Sequence, residues 1–208
     1  RYNSRHVSAL LEATGITKSF SGYYALRDVS VAFAAGEGHA VAGENGAGKS
    51  TLMAILSGLL RQDSGRVSIE GVDLPPGDGA AARRHGIGLV PQEPFLLAAS
   101  ARENIDMGRG LPDDAIVAAA RAAHAHEFIE RLERGYDTPL GEGGARLSAG
   151  QKQLLAVVRA LAGQPRILFL DEATSRIDSA TEREVQTAVA ALAARTTVIA
   201  IAHRLSTI

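Results

Sequence analysis

Read for the alternation of apolar and polar positions, the chain has strands and helices in turn at both ends and a mainly helical middle. Leu10 to Ile16 and Val29 to Phe33 read as two short strands, separated by the turn-rich Ser21-Gly22 stretch and therefore expected to pair antiparallel. His39 to Ala42 is a short apolar run entering a glycine-rich loop, and Lys49 to Leu56 then reads as a helix. Arg66 to Glu70 alternates like a half-exposed strand, whereas Gly86 to Val90 reads as a buried one. From Leu111 to Leu132 the period is helical. Pro112 suits the first turn, Asp113 and Asp114 suit the positive end of the dipole, and Ile116, Ala120, Ala123, Phe128 and Leu132 roughly follow one face.

A glycine-rich connector, Gly135 to Gly144, leads to a further helix over Ala149 to Ala162 that stops near Gly163 and Pro165. Ile167 to Leu170 is a continuous apolar run of the kind buried on both faces of a parallel sheet. Ser179 followed by Glu182 is a capping-box pattern, with Val185, Val189 and Leu192 as the stripe of the helix it opens. Thr196 to Ala202 is another buried strand, ending at His203. The pattern predicts an α/β fold: a mainly parallel sheet, antiparallel strands at the N-terminus and a helical subdomain inserted over about residues 94–162.

Composition narrows this only a little. With 208 residues and 46% apolar content the chain can bury one substantial core. The 22 Lys and Arg nearly balance 23 Asp and Glu, so no global field draws the molecule to nucleic acid, and no nucleic-acid partner is expected. The absence of cysteine excludes disulfide, thiolate and cysteine-metal chemistry. Polar residues interrupt every apolar stretch before it could span a bilayer, and Arg1 to Ser8 lacks the apolar centre of a secretory signal. The expectation is a cytoplasmic domain whose membrane-spanning part, if it has one, is supplied elsewhere.

The candidate chemistry is concentrated at strand ends. Gly43-Glu44-Asn45-Gly46-Ala47-Gly48-Lys49-Ser50-Thr51 fits G-x-x-x-x-G-K-[ST] and lies between a strand and a helix, as its mechanism requires. The glycines let backbone N–H groups converge on phosphate oxygens, and the helix start adds its positive end. Lys49 is expected to reach the β- and γ-phosphates and Ser50 to ligate Mg²⁺, which places the chain among the P-loop NTPases. Asp171 and Glu172 follow the apolar strand Ile167 to Leu170, where open α/β sheets bind ligands. Asp171 suits Mg²⁺, and Glu172 suits the attacking water. His124 and His126, two apart on a helix, face different ways and form no metal pair.

With these elements in place the resemblance becomes specific. Leu147-Ser148-Ala149-Gly150-Gln151 resembles the signature sequence of ABC ATPases and stands ahead of the Asp171-Glu172 strand, as in that family. Ser175-Arg176-Ile177-Asp178 looks like the family's D-loop, His203 like its switch histidine and Gln92 like its Q-loop glutamine, a ligand for the metal. Phe20 matches the aromatic that stacks on adenine, with Tyr23 or Tyr24 as alternatives. The resemblance runs from about Leu10 to the last residue, although the family's domain continues past the histidine after which this chain stops. It implies ATP and Mg²⁺ as ligands. It also implies a catalytic dimer in which Ser148, Gly150 and Gln151 of one ATPase domain face the γ-phosphate held by the other, and a transmembrane domain as partner.

Within the family the text changes along the chain. Ala42 to Gly58 and the Gly36-Glu37 approach are most similar to the sugar-importer branch. From about Pro91 the Gln92-Glu93-Pro94-Phe95-Leu96, Arg102-Glu103-Asn104-Ile105, Gly135-Tyr136-Asp137-Thr138 and Ile201 to Ile208 stretches look like the exporter branch. Thr138 to Gly144 resembles the exporters' X-loop, which contacts the membrane domain. Read this way, the chain is a mosaic, engineered or recombined. Val158 stands where a small alanine is usual, so strain is expected there. The leading reading is an ATP-driven export motor. A soluble ABC-type ATPase, or a designed chimeric fold module without a transport role, are the alternatives.

Overall fold

β1 (Ala9–Phe20) turns back at Ser21-Gly22 into β2 (Tyr23–Ala34), and the turn explains the pairing. Phe20 faces Tyr23 across a two-residue loop in which Ser21 (φ 48°) and Gly22 (φ 86°) are both left-handed, the geometry that continues the twist of two antiparallel strands. Both strands are longer than their apolar stretches predict. The computed structural model describes residues 9–171, 183, 186, 187, 190 and 196–201.

β3 (Gly38–Val41) leads through the glycine-rich loop into α1 (Lys49–Leu56), as the pattern predicts. β4 (Ser64–Ile69) and the two-residue β5 (Val72–Asp73) complete an antiparallel sheet of order β2-β1-β4-β5. The alternation expected in β4 does not hold, because Val67, Ser68 and Ile69 are buried in succession. After α2 (Gly79–Arg84) comes β6 (Ile87–Val90). α3 (Ala101–Asp106), α4 (Asp113–Ala122), α5 (His126–Glu130) and α6 (Ala149–Ala162) follow, and then β7 (Ile167–Asp171) and β8 (Thr197–Ile201). β3-β8-β7-β6 form a second sheet, parallel throughout.

The single helix expected over Leu111 to Leu132 is two helices. The chain breaks at Ala123 to Ala125, where His124 adopts φ 55°, and Pro112 is the N-cap of α4 and not part of its first turn. Of the helix predicted to open at Ser179 and Glu182, those two residues and the stripe Val185, Val189 and Leu192 lie outside the described residues, while Arg183, Gln186, Thr187 and Ala190 are helical.

The parallel sheet divides two cores. On β7, Ile167 and Phe169 pack with α1 and the antiparallel sheet, while Leu168 packs with the helices α3 to α6. A period of two thus sends alternate residues of one strand into different cores. Val158 takes a fully buried place in the helical core.

Candidate functional site

The loop after β3, the loop after β6 and the last residue of β7 all leave the C-terminal edge of the parallel sheet. Strand ends converge there because parallel strands all finish on one side, which is why open α/β sheets bind ligands at that edge.

The first of these loops is shaped by its own backbone. Lys49 curls back so that its Nζ donates to the carbonyls of Gly43 (2.7 Å) and Glu44 (2.8 Å), and the N–H of Ala47 donates to the Glu44 carbonyl (3.1 Å). Gly48 is the N-cap of α1 at φ 81°, and no side chain caps the helix. A Cβ at Gly48 would stand 2.3 Å from the Ala25 carbonyl oxygen, so glycine is required by contact as well as by φ. The same close approach seats the β1–β2 hairpin on the loop. As a result Phe20 and Ala25 form one wall of an open cleft of about 450 Å³, whose other lining residues are Asn45, Gly46, Gly48, Lys49, Ser50, Thr51 and Gln92.

Seven of the residues singled out in the sequence therefore share one cleft with Phe20, and Gly43 and Ala47 belong to the same loop. Tyr23 and Tyr24 do not line it; both are exposed, and Tyr24 stacks under Arg27 with its guanidinium 4.4 Å from the ring centre. The Ser50 hydroxyl donates to Asp171 Oδ1 at 3.1 Å, joining the start of α1 to the end of β7. A hydroxyl and a carboxylate in contact are hard oxygen donors of the kind Mg²⁺ prefers, and the ion usually completes its shell with phosphate oxygens and water. The pair therefore fits such an ion, although the described residues contain no cluster of three or more His, Asp or Glu side chains suited to a metal. Glu172, the Ser175 to Asp178 stretch and His203 lie outside the described residues.

Ser148, Gly150 and Gln151 are not part of the cleft lining. They open α6 with a reciprocal cap. The Ser148 hydroxyl accepts from the Gln151 N–H (3.2 Å), and the Gln151 side-chain oxygen accepts from the Ser148 N–H (3.0 Å). Gln151 thus serves its own helix, while the capping oxygen of Ser148 still carries a hydroxyl proton to donate. Ser148 and Ala149 are exposed and Gly150 is buried.

Some site-building residues escaped the sequence reading. Inside α6, buried Gln153 donates to the Pro91 carbonyl (3.3 Å) and Arg159 donates to the Phe95 carbonyl (2.7 Å), so one helix holds the chain on both sides of Gln92. Arg159 also donates to the backbone and side-chain oxygens of Asn104 at 2.8 and 3.0 Å, and Asn104 in turn binds the backbone of Leu97. Burial lowers the Arg159 pKa below the usual guanidinium range, and nearby Arg109 adds to this. Carbonyl oxygens thus solvate this partly buried cation. The available signal was an arginine standing in the apolar run Leu154 to Ala162.

The sequence model of the ABC transporter family matches residues 26–175. This chain belongs to the ABC transporter family. It is 47% identical over 185 residues to the cyclolysin secretion/processing ATP-binding protein CyaB of Bordetella pertussis, covering 88% of this chain and 26% of that protein. It is 45% identical over 187 residues to the ATP-dependent lipid A-core flippase of Albidiferax ferrireducens, covering 89% and 32%. Among solved structures, a bacterial Atm1-family ABC exporter with ATP bound superposes with a TM-score of 0.84 at 36% identity, over 97% of this chain and 36% of that one. The chain thus spans roughly a quarter to a third of these relatives' length and carries the ABC ATPase fold.

These exporter-type matches run through both halves of the chain. They give no support to an importer-like first half or to a mosaic. Among the described residues no helix is long and apolar enough to cross a membrane.

Proposed function

We propose that this ABC ATPase domain drives solute export, working at the cytoplasmic face of a membrane with a transmembrane domain as partner. In this reading two such domains, alike or related, close on two ATP molecules. The observation that carries it is the one cleft shared by Phe20, residues of the loop Gly43 to Thr51 and Gln92, with its lining residue Ser50 in contact with Asp171. The exporter-type names of the relatives support the direction of transport.

Each residue has a role set by its chemistry. Phe20 offers an aromatic face to adenine. The loop N–H groups and Lys49 take the phosphates, and Lys49 exchanges its two carbonyl partners for phosphate oxygens. Ser50, Asp171 and Gln92 hold Mg²⁺, which supplies charge neutralisation on the phosphates when bound. Glu172 orients the attacking water as base, and His203 donates to the γ-phosphate. Ser148, Gly150 and Gln151 belong to the opposite domain's site, where the free proton of Ser148 and the helix start meet the γ-phosphate. Residues 94–162 act as a helical subdomain that carries this second site.

The test is phosphate release across a series of protein concentrations, alongside sedimentation with and without Mg-ATP. Release per chain should rise with concentration before it levels. Glu172→Gln should bind Mg-ATP, turn over slowly and sediment as a dimer in its presence. Concentration-independent turnover by a species that sediments as a monomer would overturn the two-domain mechanism.

A further inference from the structure

The β1–β4 ladder stops at Thr17 facing Ser64, three residues short of Phe20, although β1 itself continues to Phe20 along its other edge with β2. Beyond that point a carboxylate replaces the ladder. Asp63 accepts from the Ser19 N–H (2.7 Å), the Ser19 hydroxyl (2.8 Å) and the Lys18 ammonium (2.8 Å), while its own N–H donates to the Thr17 carbonyl (2.9 Å). One residue therefore holds three consecutive positions leading up to Phe20. The Lys18 ammonium it pairs with also lies 5.5 Å from the centre of the Phe20 ring.

We propose that Asp63 is a positioning residue for nucleotide-base recognition: by binding Lys18 and Ser19 it holds the hairpin end so that Phe20 is a fixed platform for a purine ring at the mouth of the cleft. This rests on the reading of Phe20 as the adenine platform. The argument is one of pre-organisation. The Phe20 ring is 48% exposed and sits at the tip of a hairpin, where two strands alone hold poorly. Stacking contributes to affinity only to the extent that the ring does not have to be ordered at the moment of binding. The hydrogen bonds from Lys18 and Ser19 lower the Asp63 pKa to about 2, so the carboxylate is charged wherever ATP binding is measured. Its side chain is 40% exposed, which allows replacement without opening a core.

The experiment compares ATP with inorganic tripolyphosphate by titration calorimetry on the parent chain, Asp63→Ala, Asp63→Asn, Phe20→Ala and the Asp63→Ala/Phe20→Ala pair. Tripolyphosphate offers the loop its anion without a base. Asp63→Ala should weaken ATP roughly three- to tenfold, on the scale of one net hydrogen bond, and change tripolyphosphate less than about twofold. Asp63→Asn, which keeps an acceptor for the Ser19 N–H, should weaken ATP less than Asp63→Ala. In the Phe20→Ala background Asp63→Ala should add nothing, because the two act through one ring.

Unchanged ATP affinity in Asp63→Ala, with Phe20→Ala weakened, would overturn the role of Asp63 alone. Equal weakening of ATP and tripolyphosphate would mean that Asp63 acts on the fold and not on the base. Unchanged ATP affinity in Phe20→Ala would remove the adenine platform, and the inference with it.

Discussion

At the start of α1 the N-cap is Gly48, with no side chain and φ 81°. At the start of α6 it is Ser148, closed by a reciprocal cap with Gln151. Every helix start leaves backbone N–H groups without partners inside the helix, and something has to receive them. In α6 the sequence supplies a side-chain partner for one of these groups, the Gln151 N–H. In α1 the end opens into a cleft and the capping position is emptied to let the backbone approach. On the reading proposed above, the ligand does there what a cap does elsewhere. The difference predicts that the two motifs fail differently: damage at α1 removes ATP binding by a single domain, whereas damage at α6 affects helix stability and the two-domain state.

The sharpest way to break the comparison is Gly48→Ala. The new methyl would meet the Ala25 carbonyl at 2.3 Å in a left-handed backbone, so both the loop and the seat of the hairpin must shift. A loss of roughly 3 kcal/mol or more of stability is expected in denaturant unfolding, together with loss of ATP binding. A parent-like midpoint with ATP still bound would show that the contact relaxes and does not define the loop.

A smaller effect is expected at the other helix. Ser148→Ala should cost about 1 kcal/mol through the lost cap and leave the ATP affinity of a single domain unchanged. Recovery of that stability in Ser148→Thr would assign the loss to the cap, and a drop in ATP affinity at the monomer would blur the distinction between the two ends.

What could be read from the sequence follows the same physics. The shape of the loop Gly43 to Thr51 was legible because it rests on backbone geometry that glycines at fixed spacing allow. α1 and α6 were legible, to their first and last residues, because a strong apolar period ends at recognisable breakers. α3 was missed although Ser100 and Glu103 form a capping box, because six residues are too few to show a period. The break between α4 and α5 was hidden because apolar positions continue at helical spacing through a left-handed His124. Asp63 could not be found at all: its partners Lys18 and Ser19 lie 45 and 44 residues away, and no local pattern announces such a contact. Gln153 and Arg159 act through backbone carbonyls, which any residue could provide.

The central claim is that ATP is held by the α1 end of one domain before the α6 end of another takes part. Titration calorimetry of Mg-ATP into Lys49→Ala and Ser148→Arg, each kept dilute enough to be monomeric by sedimentation, tests it most directly. Lys49→Ala should lose most of its affinity, since the cation that exchanges its carbonyl partners for phosphate is gone, while Ser148→Arg should bind as the parent does. Parent-like binding by Lys49→Ala, or an equal loss in both variants, would contradict the account.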